Sequence, residues 1–151
     1  MAAGAWTFYQ TAKKHLCDGS FDLDTDTYQM GLYTSASNAA TSVGTVSAVG
    51  SLTGEVANGF GYATGGKAIP GITWAQGASV CEVRFNSSPV VWSATGGDIN
   101  NIKFAVVYKI GASAGARKAL MYSQLSTAQF NVTSGNTLTI TPSANGYFEL
   151  N

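Results

Sequence analysis

The sequence predicts an all-β fold carrying one short N-terminal helix, and three observations support this. Short apolar runs, several of them alternating with polar residues, recur roughly every ten residues from Ile72 onward, bounded by Gly, Pro, Asn and Ser. Only Thr7 to Leu16 shows helical spacing. Between the two regions lies Gly54 to Trp74, GEVANGFGYATGGKAIPGITW, which sets six glycines and one proline among Phe60, Tyr62, Ile69, Ile72 and Trp74. Glycine loses the most backbone entropy on ordering, so this stretch is neither a helix nor the middle of a strand. It is too aromatic for a disordered linker. It reads as an ordered crossing between two parts of one β-fold.

The elements follow in order. Thr7 to Leu16 places Phe8, Ala12 and Cys17 or Leu16 roughly a turn apart, and Asp18-Gly19 supplies a stop with glycine just past the end. Tyr28 to Thr34 is a strand with Tyr28, Met30 and Leu32 on one face and Gln29 and Gly31 on the other. Ser35 to Ser51 is nearly all small residues and predicts a long exposed loop, with at most a short strand around Thr45 to Val49. After the glycine-rich crossing come Ile72 to Gln76, then a half-buried strand with Cys81, Val83 and Phe85 alternating, then Val90 to Trp92. Ile102 to Ile110 puts Phe104, Val106, Tyr108 and Ile110 on one face, and a Gly111 to Gly115 loop joins it to Ala119 to Leu125 as a hairpin. Val132, Leu138 to Ile140 and Tyr147 to Leu150 complete the series. About eight antiparallel strands at this spacing predict a single β-sandwich or jelly roll. It spans residues 1–151, with 1–20 as an N-terminal helical arm.

The chain of 151 residues is long enough to bury a core in one domain. Charged residues make up only 11%, against about 25% in an average soluble domain. Lys plus Arg equals Asp plus Glu at eight each. A net charge near zero favours association over staying apart, and a homo-oligomer, a dimer or trimer, is expected. With no basic surplus, a nucleic-acid partner is not expected. No apolar run is long enough for a signal peptide or a membrane span, so no membrane partner and synthesis in the cytosol are expected. Cys17 and Cys81 form no metal-binding or redox spacing and are expected as reduced, buried small hydrophobes.

Candidate chemistry is sparse. Asp22, Asp24 and Asp26 repeat every second residue like the start of a calcium loop, but Thr27 and Tyr33 stand where that loop needs glycine and glutamate. A solvated approach to the next strand is expected instead. Gly111-Ala-Ser113-Ala-Gly115 matches a nucleophile-elbow pattern, but no histidine follows it and the next run is strand-like, so a hairpin loop is the better account. Gly59 to Gly65 has the wrong spacing for a dinucleotide fingerprint. Asn131-Val-Thr133 fits a glycosylation sequon, which has no meaning without export. Trp74 and Trp92 could stack on sugar rings, although strand positions make core packing their default. No catalytic residue, metal ligand or cofactor is expected.

The order of motifs resembles a family of small virion structural proteins of tailed bacteriophages. The resemblance rests on a Cys17-Asp18-Gly19 helix stop, a D-x-D-T-D-T approach into Y-x-M-x-L-Y-T-S (Asp22 to Ser35), E-V-x-x-x-G-x-G-Y-x-x-G-G (Glu55 to Gly66), V-x-W (Val90 to Trp92) and F-A-V-V-Y (Phe104 to Tyr108). It covers nearly the whole chain, and the Glu55–Gly66 and Phe104–Tyr108 elements are its most specific parts. It implies a non-enzymatic protein, a capsid decoration or cement protein that binds the major capsid protein on the outer surface of a virion assembled in the host cytoplasm. The alternative is a neck, tail or head-fibre component acting as a receptor- or glycan-binding module. The low charge and the Ala36–Ala48 loop depart from the usual pattern. The expected contact surface is Trp6, Phe8 and Tyr9 on the N-terminal arm, with Phe60 and Tyr62 in the glycine-rich crossing.

Overall fold

The computed structural model describes residues 4–76 and 83–150. Along the chain run β1 (Trp6–Phe8), α1 (Gln10–Cys17), β2 (Tyr28–Tyr33), a 3-10 turn (Val49–Ser51), β3 (Lys67–Ala68), β4 (Thr73–Gln76), β5 (Val83–Asn86), β6 (Val90–Ser93), β7 (Ile99–Ile102), β8 (Phe104–Lys109), β9 (Ala119–Gln124), β10 (Phe130–Val132), β11 (Thr137–Ile140) and β12 (Phe148–Leu150). The strands form an all-β structure of several antiparallel sheets. A five-stranded sheet has the order β1-β9-β8-β2-β3, a three-stranded sheet has the order β12-β5-β4, and β10-β7 and β11-β6 are two-stranded.

The five-stranded sheet is organised around β8. Phe104 to Lys109 pairs with Tyr33 to Tyr28 residue for residue, and with β9 across a bulge between Val107 and Tyr108. Both faces are buried. Side chains alternate across a strand, so Tyr28, Met30, Leu32, Val107 and Met121 share one face. That face meets the three-stranded sheet through ring contacts, Tyr28 on Phe85 at 5.3 Å and Phe8 on Phe148 at 4.6 Å. Gly31, Tyr33, Phe104, Val106, Tyr108 and Tyr122 share the other face. There Tyr9 packs on Tyr122 at 5.6 Å, and Tyr62 lies over Gly31.

Several expectations change. The predicted helix over Thr7 to Leu16 is two elements, because Trp6 to Phe8 pairs with Ser123 to Met121 as an edge strand and the helix begins only at Gln10. Cross-strand pairing outweighs local spacing in this short aromatic run. The helix stop holds, with Gly19 at φ 75. The Ser35 to Ser51 loop contains no strand, but it is less exposed than expected. Ala39, Val46 and Val49 are buried, and the loop ties α1 to β9 through Gln10 N–H to Val43 O at 3.0 Å and Ala119 N–H to Ser47 O at 3.1 Å. Cys17 is exposed and free rather than buried, because it ends the helix beside solvent; Cys81 lies outside the described residues. The acidic run is a closed turn, not an extended segment. Asp26 N–H donates to Asp22 O at 3.0 Å, and Asp26 pairs with Lys109 at 2.7 Å. Ile99–Ile102 is a separate strand that the sequence pattern does not reveal, since Asn100 and Asn101 interrupt the apolar run.

Gly66 marks the tightest approach between the crossing and β2. It has φ 71, and a Cβ there would sit 2.3 Å from the Met30 carbonyl oxygen. Backbone would have to move, and the left-handed conformation adds its own cost. Gly66→Ala is therefore expected to destabilise the fold by about 2–4 kcal/mol, read as a lowered urea midpoint. An unchanged midpoint would show that the contact is not constraining.

Candidate functional site

The glycine-rich crossing is the most constructed part of the surface. Strand β2 needs a neighbour on the side away from β8, and β3 supplies one only at Gln29 and Met30. Unpaired backbone groups on a buried strand are costly. The crossing takes over where β3 stops. Val56 N–H donates to Leu32 O at 2.9 Å, Thr34 N–H donates to Gly54 O at 2.8 Å, and Glu55 bridges Tyr33. The remaining amide, Leu32 N–H, donates to the Tyr62 hydroxyl at 3.0 Å. A side chain thus finishes what the backbone ladder leaves open.

Glu55 holds this arrangement closed. Its Oε1 accepts from the Tyr62 hydroxyl at 2.7 Å and from Gly65 N–H at 2.6 Å. Charge-assisted bonds of this kind are about twice as strong as neutral ones. The Tyr108 hydroxyl donates to Gly65 O, and the Arg117 guanidinium lies against Gly65. Burial pushes the hydroxyls of Tyr33 and Tyr62 well above the usual tyrosine range, and the Glu55 charge adds to it. Tyr108 is pushed up to about 12 by burial and then by Glu55, with Arg117 opposing. Tyr9 and Tyr28 are also raised, by burial first.

Between Val56 and Tyr62 the chain makes a hairpin closed by Gly59 N–H to Tyr62 O at 2.8 Å and Tyr62 N–H to Gly59 O at 3.0 Å. Its two central residues, Phe60 and Gly61, have φ 55 and 98. Positive φ at both is the type I′ pattern, which normally calls for Asn-Gly. Phe60 O accepts from Thr95 N–H at 3.1 Å, which pins the tip to the β6–β7 connection. Beside it is a cavity of about 230 Å³ lined by Thr34, Glu55, Asn58, Phe60, Asp98 and Asn101, among others.

The structure separates the five expected contact residues. Phe60 is 52% exposed. Trp6 and Phe8 are half-buried on the edge strand β1 and pack on the core. Tyr9 and Tyr62 are a correction: both are buried, at 0% and 2% exposure, because one packs against Tyr122 and the other completes the flank of β2. Neither side chain offers surface as it stands. Trp92 is a core residue, and Trp74 is half-buried. Ser113 Oγ accepts from Ala116 N–H at 3.3 Å in the β8–β9 loop, whereas the chain's single histidine pairs with Asp18 at 3.5 Å. Among the described residues no cluster of His, Cys, Asp and Glu is suited to a metal. The Glu55–Tyr62–Tyr108–Arg117 group is new relative to the sequence. Only the E-x6-Y spacing inside the crossing hints at it.

In comparisons with known proteins, no family model, no curated protein and no solved structure matches the chain.

Two measurements test the clasp. Tyr62→Phe strands Leu32 N–H and removes a donor from Glu55, so a loss of about 1–3 kcal/mol is expected in urea unfolding; no loss would mean the hydroxyl is dispensable. The raised tyrosines set the pH dependence. Unfolded tyrosines ionise near 10. Below that both states keep their protons and stability is at its full value. Above it the unfolded chain loses protons that the folded chain retains, and stability falls as pH rises towards the folded values. The urea midpoint should be level from about pH 8 to 9 and fall steeply beyond about 10. A midpoint that stays level up to about pH 11 would contradict the burial of these hydroxyls.

Proposed function

We propose that this chain is a non-enzymatic structural protein of a tailed-phage virion, a capsid decoration or cement protein that binds the major capsid protein from outside and joins neighbouring capsid subunits. The motif order from Cys17 to Tyr108 supports the class. We read the four sheets as the two layers of one jelly-roll-like β-sandwich, with the five-stranded sheet as one layer and the smaller sheets as the other.

The observation that carries the binding role is an aromatic face where the two larger sheets meet. Phe8 packs on Phe148 at 4.6 Å, Trp74 on Phe148 at 5.7 Å and Trp6 on Tyr147 at 5.1 Å. Trp6, Phe8, Trp74 and Phe148 are all only partly buried. β1 and β4, which carry three of them, are edge strands among the described residues. A groove of about 400 Å³ lined by Leu16, Phe21, Leu23, Trp74 and Phe148 opens beside them. Aromatic anchors next to open strand edges have the composition of an interface core, and Asp22, which also lines the groove, places a carboxylate at its rim.

The mechanism is additive. Each contact is modest, and a dimer or trimer repeats it so that avidity holds the protein on the lattice. Purified chain added to purified shells lacking it is expected to saturate at hundreds of copies per particle. Trp74→Ala should weaken binding about tenfold while the protein stays folded, the loss usual for a central aromatic anchor. Occupancy of about a dozen copies, as at a single neck or tail ring, would replace the decoration reading with the tail reading. No binding at all would remove both.

A further inference from the structure

Among the described residues only two other than glycine have positive φ, Phe60 at 55 and Asn101 at 62, and both line the same cavity. A bulky aromatic in that region is a true outlier, and such strain collects at functional sites. At the Phe60 position asparagine would relieve it, yet the chain carries a ring. One side of that ring rests on Gly97, where a Cβ would meet ring carbon at 2.4 Å. Much of the rest is open, at 52% exposure.

The polar rim around the ring is held in place by its own hydrogen bonds. Asp98 Oδ1 accepts from Ser134 N–H at 2.8 Å, and Asn100 Nδ2 donates to Asp98 O at 3.2 Å. Asn101 N–H donates to Asn131 Oδ1 at 2.9 Å, and Asn101 Oδ1 accepts from Gln129 Nε2 at 3.2 Å. Asn58 Oδ1 accepts from Thr64 N–H at 3.3 Å. These contacts fix the side chains yet leave Asp98 Oδ2 and the side-chain NH2 groups of Asn58 and Asn101 without a protein partner among the described residues. The result is an aromatic platform with one carboxylate oxygen and two amide donors beside it.

The lining selects the ligand class. No Lys or Arg lines the cavity, while Glu55 and Asp98 do, so a phosphate or another anion would be repelled. Only two acids are present, and Glu55 Oε1 is already occupied by two donors, which leaves a cation too few ligands. A purely apolar ligand would leave the rim amides unpaired. At about 230 Å³ the space is smaller than the ~300–1,000 Å³ of drug-sized pockets. We infer that this cavity binds one ring of a neutral saccharide, stacked on Phe60 with its hydroxyls on Asp98, Asn58 and Asn101. The site lies beyond the Tyr33 end of β2, whereas the aromatic groove lies near the Tyr28 end, where the Tyr28 hydroxyl reaches Asp22 O at 3.2 Å. Six strand residues span roughly 17–20 Å, so the two sites are separate and this inference does not depend on capsid binding.

The test is ligand-observed NMR of the full chain with glucose, galactose, mannose and N-acetylglucosamine, with inorganic phosphate as the charged control, followed by a glycan array. Binding of at least one neutral sugar in the millimolar range, and none of phosphate, is expected. Phe60→Asn should weaken binding by roughly tenfold or more while leaving the urea midpoint level or raised, since asparagine tolerates positive φ. Asp98→Asn should weaken binding several-fold and keep the acceptor for Ser134. The inference is overturned if no neutral sugar binds, if phosphate binds as well as the sugars, if Phe60→Asn binds like the parent, or if it loses binding only together with its fold.

Discussion

The unsatisfied flank of β2 is the constraint on which most of this structure depends. A strand buried on both faces must have every amide and carbonyl paired, and β3 is only two residues long. The glycine-rich crossing exists, in physical terms, to meet that demand. Its backbone pairs with Leu32, Tyr33 and Thr34, and the Tyr62 hydroxyl reaches the one amide left. Glu55 then binds Tyr62 and Gly65 together. The Phe60 hairpin projects from this closed unit and is tied to the β6–β7 connection through Thr95 N–H and Phe60 O.

The surface has two distinct ends. At one end, rings from β1, β4 and β12 meet without closing completely, which leaves partly exposed aromatics beside strand edges. At the other, the clasp and the β6–β7 connection hold a ring over a polar rim. A protein that gripped a lattice with the first and presented the second outward would be an adhesive coat as well as a brace.

Much of the architecture was legible in alternation and turn residues. The strands at Tyr28, Val90, Phe104, Ala119 and Thr137 stand close to where hydrophobic periodicity puts them, and the Asp18-Gly19 stop ends the helix. Of the readings that failed, three show the physical reason most directly. Thr7 and Phe8 read locally as the start of the helix, but with Trp6 they pair with β9 instead. Ile99–Ile102 hides its strand behind two asparagines, one of them at positive φ. The small-residue loop before Glu55 reads as solvent-facing, yet its few valines and alanines are drawn in to cover the sheet. Of the site, the crossing stood out by composition, but Tyr62 and Phe60 could not be told apart: both are aromatics next to glycine, and only the turn, which puts Phe60 at its tip and Tyr62 at its closing position, separates surface from core.

By itself the sequence determined the all-β class, the low charge, the thinness of candidate chemistry and the importance of Gly54 to Trp74, because composition and periodicity are local properties. Tertiary structure alone decided which aromatics face solvent, that Glu55 joins Tyr62 to Gly65, and that Phe60 and Asn101 share one cavity. Phe60 and Asn101 are some forty residues apart and meet only through the sheet, while the Glu55 contacts, although closer along the chain, need the crossing folded back along β2. The glycine-rich crossing belongs to both lists: its glycines announce a tight path, but only β2's open flank explains where that path must go.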